Sequence, residues 1–175
     1  MPAMPLPLYT AEQIGSRVAE LATRLAARFP AGDTPHLVAV LNGSFIFLAD
    51  LVRAMTCPVT VDFVRLTSYG SATTTSGTPR LVHGPSAALR DRHVVIVEDI
   101  VDTGLTLQVL REHLLAGRPR SLSTVVLLDK PARRRTRVPV DLVGFRIPDQ
   151  FVVGYGLDCH EAHRNLPYLG VIAPA

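Results

Sequence analysis

Apolar and polar positions follow two periods along this chain, one typical of helices and one typical of buried strands. Thr10 and Gln13 form a capping-box opening, and apolar residues then recur at helical spacing until Pro30. Further helices are predicted over 45–55 and 105–116. Short apolar runs bounded by turn residues predict strands at 36–41, 58–66, 80–83, 92–97, 122–128, 140–145 and 151–155. Strands that alternate with helices in this way predict an α/β fold, with an open, mostly parallel twisted sheet flanked by helices.

Composition narrows the class of protein. The chain has 175 residues, of which 47% are hydrophobic and 19% charged, and this excludes a disordered chain. No apolar run is long enough to span a bilayer, and the first residues lack the pattern of a signal peptide. Cys57 and Cys159 have no CxxC spacing and are typical of reduced thiols. We expect a single domain over residues 1–175, cytoplasmic and without a membrane partner.

The positive charge of the chain is local. Residues 118–137 hold seven basic side chains and one acid, whereas the rest of the chain has 11 basic and 14 acidic residues. The net charge of +3 is therefore no argument for nucleic-acid binding, and none is expected. Lys130 is the only lysine beside 17 arginines, which suggests that its compact ammonium has a specific task.

A polar segment interrupts the pattern at residues 67–79. It has no charged residue, eight serines and threonines, and a single tyrosine, Tyr69. A loop of this length is either functional or disordered. Its small uncharged residues would suit a flexible lid over an active site.

The run VVIVEDIVDTGLT at 94–106 carries the strongest chemical signal. A buried strand presents Glu98 and Asp99 at its carboxyl end, and Asp102 then opens a glycine-containing turn into a helix. Carboxylates accept hydrogen bonds from sugar hydroxyls, whereas the amides of such a turn donate to phosphate oxygens. A ribose 5-phosphate satisfies both kinds of group at once.

The same run resembles the phosphoribosyl-pyrophosphate signature of the type I phosphoribosyltransferases. Four further segments are similar to the 6-oxopurine branch of that family, the bacterial-type hypoxanthine(-guanine) phosphoribosyltransferases: LNGSFIF at 41–47, SYGSATTTSG at 68–77, LLDKPARR at 127–134 and VGFRIPDQFVVGYGLDCHEAHRNLPYLGVI at 143–172. The resemblance implies the type I fold, with a small hood formed by N- and C-terminal segments. It also implies a homodimer or homotetramer.

The resemblance further implies a set of site residues. Those expected to hold the ribose and its 5-phosphate are Glu98, Asp99, Asp102, Thr103, Gly104, Leu105 and Thr106. Pyrophosphate is expected at Leu41, Asn42, Gly43 and Arg164, and the purine at Lys130, Phe151, Val152 and Asp158. Mg²⁺ is the expected cofactor, at Asp158, Glu98 and Asp99, and the lid includes Ser68 and Tyr69. Asp102 is expected to be the catalytic group that accepts or returns the proton of purine N7.

The implied activity is a step of purine salvage, in which phosphoribosyl pyrophosphate and a 6-oxopurine, hypoxanthine or guanine, give IMP or GMP and pyrophosphate. Lys130 agrees with this activity because an ammonium only donates, so it matches a 6-oxo group and disfavours the 6-amino group of adenine. Asn42 departs from the family, since many members have lysine there. Two alternatives stay open: a non-catalytic nucleotide-sensing regulator of the same fold, and a phosphoribosyltransferase that prefers xanthine.

Overall fold

The computed structural model describes residues 4–68 and 79–172, and these residues form two sheets and three α-helices. The strands are β1 (Leu6–Tyr9), β2 (His36–Leu41), β3 (Thr60–Ser68), β4 (Pro79–His83), β5 (His93–Val101), β6 (Ser121–Asp129), β7 (Leu142–Arg146), β8 (Phe151–Val153) and β9 (Leu169–Ile172). The helices are α1 (Ala11–Ala26), α2 (Phe45–Ala54) and α3 (Leu105–Ala116), with a short 3-10 turn at Pro131–Arg133.

The larger sheet has six strands in the order β4-β3-β2-β5-β6-β7. All neighbours run parallel except β4, which lies antiparallel to β3 at one edge. The chain moves to one side of β2 to form β3 and to the other side to form β5, so the strand order reverses between β2 and β5. Ligands of open α/β sheets bind outside the carboxyl ends of the strands at such a reversal. The predicted fold class is confirmed, and its topology directs attention to the ends of β2 and β5.

Both faces of this sheet are buried at its centre. Alternate residues of β2 and β5 enter opposite cores, since Ala39 and Val97 pack with α1 and α2 whereas Val38 and Ile96 pack with α3. A strand that is covered on both faces needs a continuous apolar run rather than an alternating one. This requirement explains why both strands stand out in the sequence.

The two ends of the chain meet in a second sheet. β1, β9 and β8 form an antiparallel sheet in that order, separate from the larger one. This sheet is the small hood that the resemblance implied. β8 leads into residues 154–164, which return to the ends of β2 and β5.

Several predicted boundaries are wrong by one to three residues, and the largest error is at β5. β5 was expected to end at Val97, but it continues to Val101 because it pairs with β6 as far as Asp129. Glu98 and Asp99 therefore lie within the last part of the strand rather than after it. No helix in the two described ranges is long and apolar enough to cross a membrane. The single domain over residues 1–175 stays a prediction.

Candidate functional site

A cleft of about 380 Å³ opens at the carboxyl ends of β2, β5 and β6. Its walls are formed by Val40, Leu41, Asn42, Gly43, Glu98, Asp99, Ile100, Asp102, Lys130, Phe151, Val152, Leu157, Asp158 and Arg164. A smaller cavity of about 180 Å³ adjoins it at the N-terminus of α3, lined by residues 98–104, Thr106 and Leu107. Among the predicted site residues whose side chains are described, every one except Leu105 lines one of these cavities.

Two adjacent carboxyl groups form the floor of the cleft. Glu98 is 6% exposed, and within the described part of the chain its Oε2 atom has no hydrogen-bond partner. Burial raises the pKa of Glu98 well above its ordinary value, and the neighbouring charge of Asp99 raises it further. Burial also raises the pKa of Asp99, although hydrogen bonds from Glu98 and from the Ile100 backbone N–H act in the opposite direction. Such a pair is stabilised by hydroxyl donors or by a cation.

The turn between β5 and α3 has the geometry of an anion site. Gly104 is the N-cap residue of α3 and has a φ of 85°, in the left-handed region that favours glycine. A Cβ atom there would lie 2.9 Å from the carbonyl oxygen of Thr136. The backbone N–H groups of Arg135 and Thr136 donate to the Thr103 carbonyl at 2.9 and 3.2 Å. The arginine-rich loop that follows β6 therefore packs against this turn. The free N–H groups and dipole of a helix N-terminus favour a phosphate in the adjoining cavity.

The loop after β2 lies directly against Asp99. The Leu41–Asn42 peptide bond is cis, and Gly43 follows it. A Cβ atom on Gly43 would lie 1.6 Å from Asp99 Oδ2, so the two groups have no room for a side chain between them. The absence of a side chain at Gly43 therefore allows the Asp99 carboxylate to lie over the loop.

Replacing Gly43 with alanine is therefore expected to displace the Asp99 carboxylate. Because that carboxylate belongs to the predicted ribose and metal set, the Kd for phosphoribosyl pyrophosphate with Mg²⁺ should rise by about tenfold, the equivalent of one lost hydrogen bond. Calorimetric titration measures this change. Gly15→Ala is the matched control, since an added Cβ there meets nothing within 4 Å. Equal affinities in the two variants would contradict the prediction.

Asp158 and Arg164 form an ion pair on the opposite wall of the cleft. Arg164 Nη2 lies 2.7 Å from Asp158 Oδ1, and Arg164 Nη1 donates to the Gly156 carbonyl at 2.7 Å. The other oxygen of Asp158 accepts a hydrogen bond from the Glu161 backbone N–H at 2.8 Å. Both side chains are thereby held in place beside the loop after β2, where an anionic group can meet the guanidinium and a cation can meet the carboxylate.

Three of the four residues predicted for the purine, Lys130, Phe151 and Val152, line another part of the same cleft. Lys130 follows β6 and is only 8% exposed, and its Nζ atom lies 3.9 Å from Asp149 Oδ1. Phe151 is 53% exposed although it is a large apolar residue at the start of β8, which excludes a purely core role. Val152 beside it is buried. An exposed ring next to a buried ammonium suits a planar base that carries an acceptor.

Arg133 is a site residue that the sequence analysis did not identify. Its Nε atom lies 3.0 Å from Asp102 Oδ1 and its Nη1 atom 3.6 Å from Asp149 Oδ1, so it links two carboxylates at the purine wall. The contact with Asp102 has ion-pair distance without hydrogen-bond alignment, so Oδ1 has no hydrogen-bond partner among the described residues. Arg134, the next residue of this run, pairs with Asp129 at the end of β6.

Leu105 is the one described residue of the predicted set that lines neither cavity. Leu105 begins α3, and its backbone N–H donates to the Thr103 hydroxyl at 3.4 Å. Ser68 ends β3, but its side chain lies outside what is described. Tyr69 and most of the predicted lid, residues 69–78, also lie outside the described residues.

Comparison with known proteins agrees with this geometry. Residues 7–160 match the family model of the phosphoribosyl transferase domain. The chain is 43% identical over 167 residues to the hypoxanthine phosphoribosyltransferase of Haemophilus influenzae, covering 94% of this chain and 93% of the relative. It is 41% identical over 169 residues to the hypoxanthine-guanine phosphoribosyltransferase of Bacillus subtilis, covering 96% and 93%. A crystal structure of a hypoxanthine-guanine phosphoribosyltransferase from Bacillus anthracis superposes with a TM-score of 0.92 at 41% identity, covering 98% and 100%.

Proposed function

This chain belongs to the phosphoribosyltransferase family, and from that premise we propose that it is an enzyme of purine salvage. It transfers the 5-phosphoribosyl group from phosphoribosyl pyrophosphate to hypoxanthine, and also to guanine, giving IMP or GMP and pyrophosphate. One observation carries the proposal. The carboxyl groups of Glu98 and Asp99, the turn 102–106 and the ammonium of Lys130 meet in adjoining cavities at the strand-order reversal.

The sugar-phosphate half of the site would hold the donor substrate. Glu98 and Asp99 accept hydrogen bonds from the ribose hydroxyls, and the turn 102–106 donates to the 5-phosphate. The reaction passes through a sugar cation, so charge must be neutralised on the leaving pyrophosphate. Arg164 supplies a guanidinium for that purpose from its fixed position beside Asp158.

Mg²⁺ is the proposed cofactor, and the residues present fit it. Asp158, Glu98 and Asp99 offer carboxylate oxygens, which Mg²⁺ prefers, and the buried Oε2 of Glu98 lacks a partner among the described residues. Within residues 4–68 and 79–172, no three His, Cys, Asp or Glu side chains are placed to hold a metal ion by themselves, so the Glu98–Asp99 pair and Asp158 would need substrate oxygens to complete the site. Mg²⁺ is commonly held by one or two carboxylates together with substrate phosphates. When bound, the ion would supply positive charge to the pyrophosphate.

The purine half of the site would select and activate the base. Lys130 donates to the 6-oxo group, Phe151 stacks on the ring and Val152 offers its backbone carbonyl to the ring edge. Asp102 removes or returns the N7 proton, and Arg133 orients its carboxylate. An adenine 6-amino group would face the ammonium of Lys130 without an acceptor, so adenine should be rejected.

The proposal is tested by mixing the protein with Mg²⁺, phosphoribosyl pyrophosphate and hypoxanthine, and following IMP by its absorbance or by chromatography. IMP formation supports the proposal, and no turnover would favour the nucleotide-sensing regulator. Competition among hypoxanthine, guanine, xanthine and adenine at equal concentration then identifies the preferred base. Preference for xanthine would replace the proposed substrate class, whereas the family membership would stand.

The assembly and location of the enzyme are also proposals. A homodimer or homotetramer is supported by a shallow depression lined in part by Leu41, Asn42, Phe45 and Phe63, in which the two phenylalanines are exposed. A second copy that covers this depression would adjoin the pyrophosphate loop. Cys57 and Cys159 are free thiols, which agrees with a cytoplasmic enzyme.

A further inference from the structure

The turn after β8 adopts an unusual backbone conformation. Gly154, Tyr155 and Gly156 are consecutive residues with φ values of 94°, 49° and 100°. Left-handed backbone is ordinary for glycine but uncommon for tyrosine, whose Cβ crowds the following carbonyl. Tyr155 is also buried, with 6% of its surface exposed. Backbone outliers of this kind persist where the surrounding contacts enforce them, and they cluster at functional sites.

Close contacts on both sides enforce this conformation. A Cβ atom on Gly154 would lie 2.1 Å from the Tyr168 carbonyl oxygen, and one on Gly156 would lie 2.2 Å from the Gly43 carbonyl oxygen. The backbone N–H of Gly156 donates to the Arg164 carbonyl at 3.0 Å, while the Arg164 guanidinium donates to the Gly156 carbonyl at 2.7 Å. The turn is therefore in direct contact with the loop after β2 and is bonded twice to Arg164.

A single side-chain hydrogen bond joins this turn to α2. The Tyr155 hydroxyl donates to Asp50 Oδ2 at 2.5 Å, and Asp50 also pairs with Arg53. Burial raises the pKa of Tyr155, and the bond to Asp50 raises it further, so the hydroxyl keeps its proton and acts as a donor. A hydrogen bond to a carboxylate is stronger than one between neutral groups. α2 begins at Phe45, two residues after Gly43. The bond therefore connects the helix that follows the loop 41–43 to the turn that precedes Asp158.

We propose that Tyr155 is a positioning residue for pyrophosphate, which acts through Asp50 to fix the distance between the loop 41–43 and the Asp158–Arg164 pair. The proposal rests on the proposed function, since it concerns the pyrophosphate half of the same cleft. Lys130 and Phe151 lie on the purine wall and take no part in the Tyr155–Asp50 bond. The bond therefore bears on one half of the site and leaves the other half unchanged.

The test uses Tyr155→Phe, which removes only the hydroxyl. The Kd for pyrophosphate with Mg²⁺, measured by calorimetry on the full chain, should rise by about tenfold, the loss of one charge-assisted hydrogen bond. The Kd for IMP, which lacks pyrophosphate, should change by less than about twofold because its contacts are independent. The KM for phosphoribosyl pyrophosphate should rise together with the Kd for pyrophosphate, whereas the KM for hypoxanthine should stay unchanged. Tyr168→Phe is the control, since that hydroxyl donates to the Pro5 carbonyl at 3.2 Å and neither residue lines the cleft.

A second variant keeps the test decisive if Tyr155→Phe does not fold. Asp50→Asn retains an uncharged acceptor for the hydroxyl and should weaken pyrophosphate binding by a smaller factor than Asp50→Ala. Unchanged pyrophosphate affinity, or an equal loss of pyrophosphate and IMP affinity, would overturn the proposal. Wild-type protein that forms no IMP would instead count against the proposed function.

Discussion

Replacing Asp102 with asparagine is expected to lower kcat for IMP formation by about 10²- to 10⁴-fold, the contribution that general acid–base catalysis usually makes. Asparagine keeps the size of the side chain but cannot take the N7 proton. Its amide still lies beside Arg133, whose Nε is 3.0 Å from Asp102 Oδ1, so the turn should keep its shape. The KM for phosphoribosyl pyrophosphate should change much less than kcat. Steady-state kinetics with saturating Mg²⁺ separates the two parameters.

The matched control for this experiment is Asp141→Asn. Asp141 is also a partly buried carboxylate paired with an arginine, Arg28 at 2.6 Å, but it lies outside both cavities. Its turnover per folded molecule should stay within about twofold of the wild-type value, because it does not contact the substrates. Near-normal turnover in Asp102→Asn would remove Asp102 from proton transfer.

Removing the ammonium of Lys130 is expected to weaken purine binding selectively. Lys130→Ala should raise the KM for hypoxanthine by about 10- to 100-fold, since a hydrogen bond from a charged donor contributes roughly 1.5–3 kcal/mol. The affinity for phosphoribosyl pyrophosphate should stay nearly intact, because the phosphate turn and the pyrophosphate loop belong to other walls of the cleft. Steady-state kinetics for hypoxanthine and calorimetry for phosphoribosyl pyrophosphate measure the two effects.

Lys130→Met serves as the companion variant, because methionine keeps most of the apolar stem that lies buried in the cleft wall. Both variants should lose discrimination against adenine, whose 6-amino group would no longer face an ammonium. If the affinities for both substrates collapse together in both variants, Lys130 is structural rather than a purine ligand.

The strands and helices of the main sheet could be predicted because their signals are local. The predicted capping box at Thr10 and Gln13 forms with both hydrogen bonds, and helix α3 has the predicted bounds. The short strands β1 and β9 escaped prediction as strands for the opposite reason. Leu6 of β1 pairs with Val171 of β9, at the other end of the chain, and such pairing leaves no periodic pattern in a four-residue segment.

The residues of the candidate site also divide into those with a local signal in the sequence and those without one. Asp102 and Lys130 could be predicted because each follows an apolar strand in a recognisable motif. Arg133 could not, since nothing in a run of arginines shows which of them the 3-10 turn directs toward Asp102. The Tyr155–Asp50 bond joins residues 105 positions apart, and neither residue is unusual for its own segment. Contacts that depend on the packing of distant elements need the three-dimensional structure.

The burial of Lys130 makes this protein a favourable subject for chemical labelling. The chain has a single ε-amino group, that of Lys130, and this residue is 8% exposed on the wall of the cleft. An amine-acylating reagent thus has a single side-chain target among 175 residues, besides the α-amine, and that target lines the pocket. The mass of the peptide that carries Lys130 consequently reports whether the pocket is occupied, and it does so without turnover.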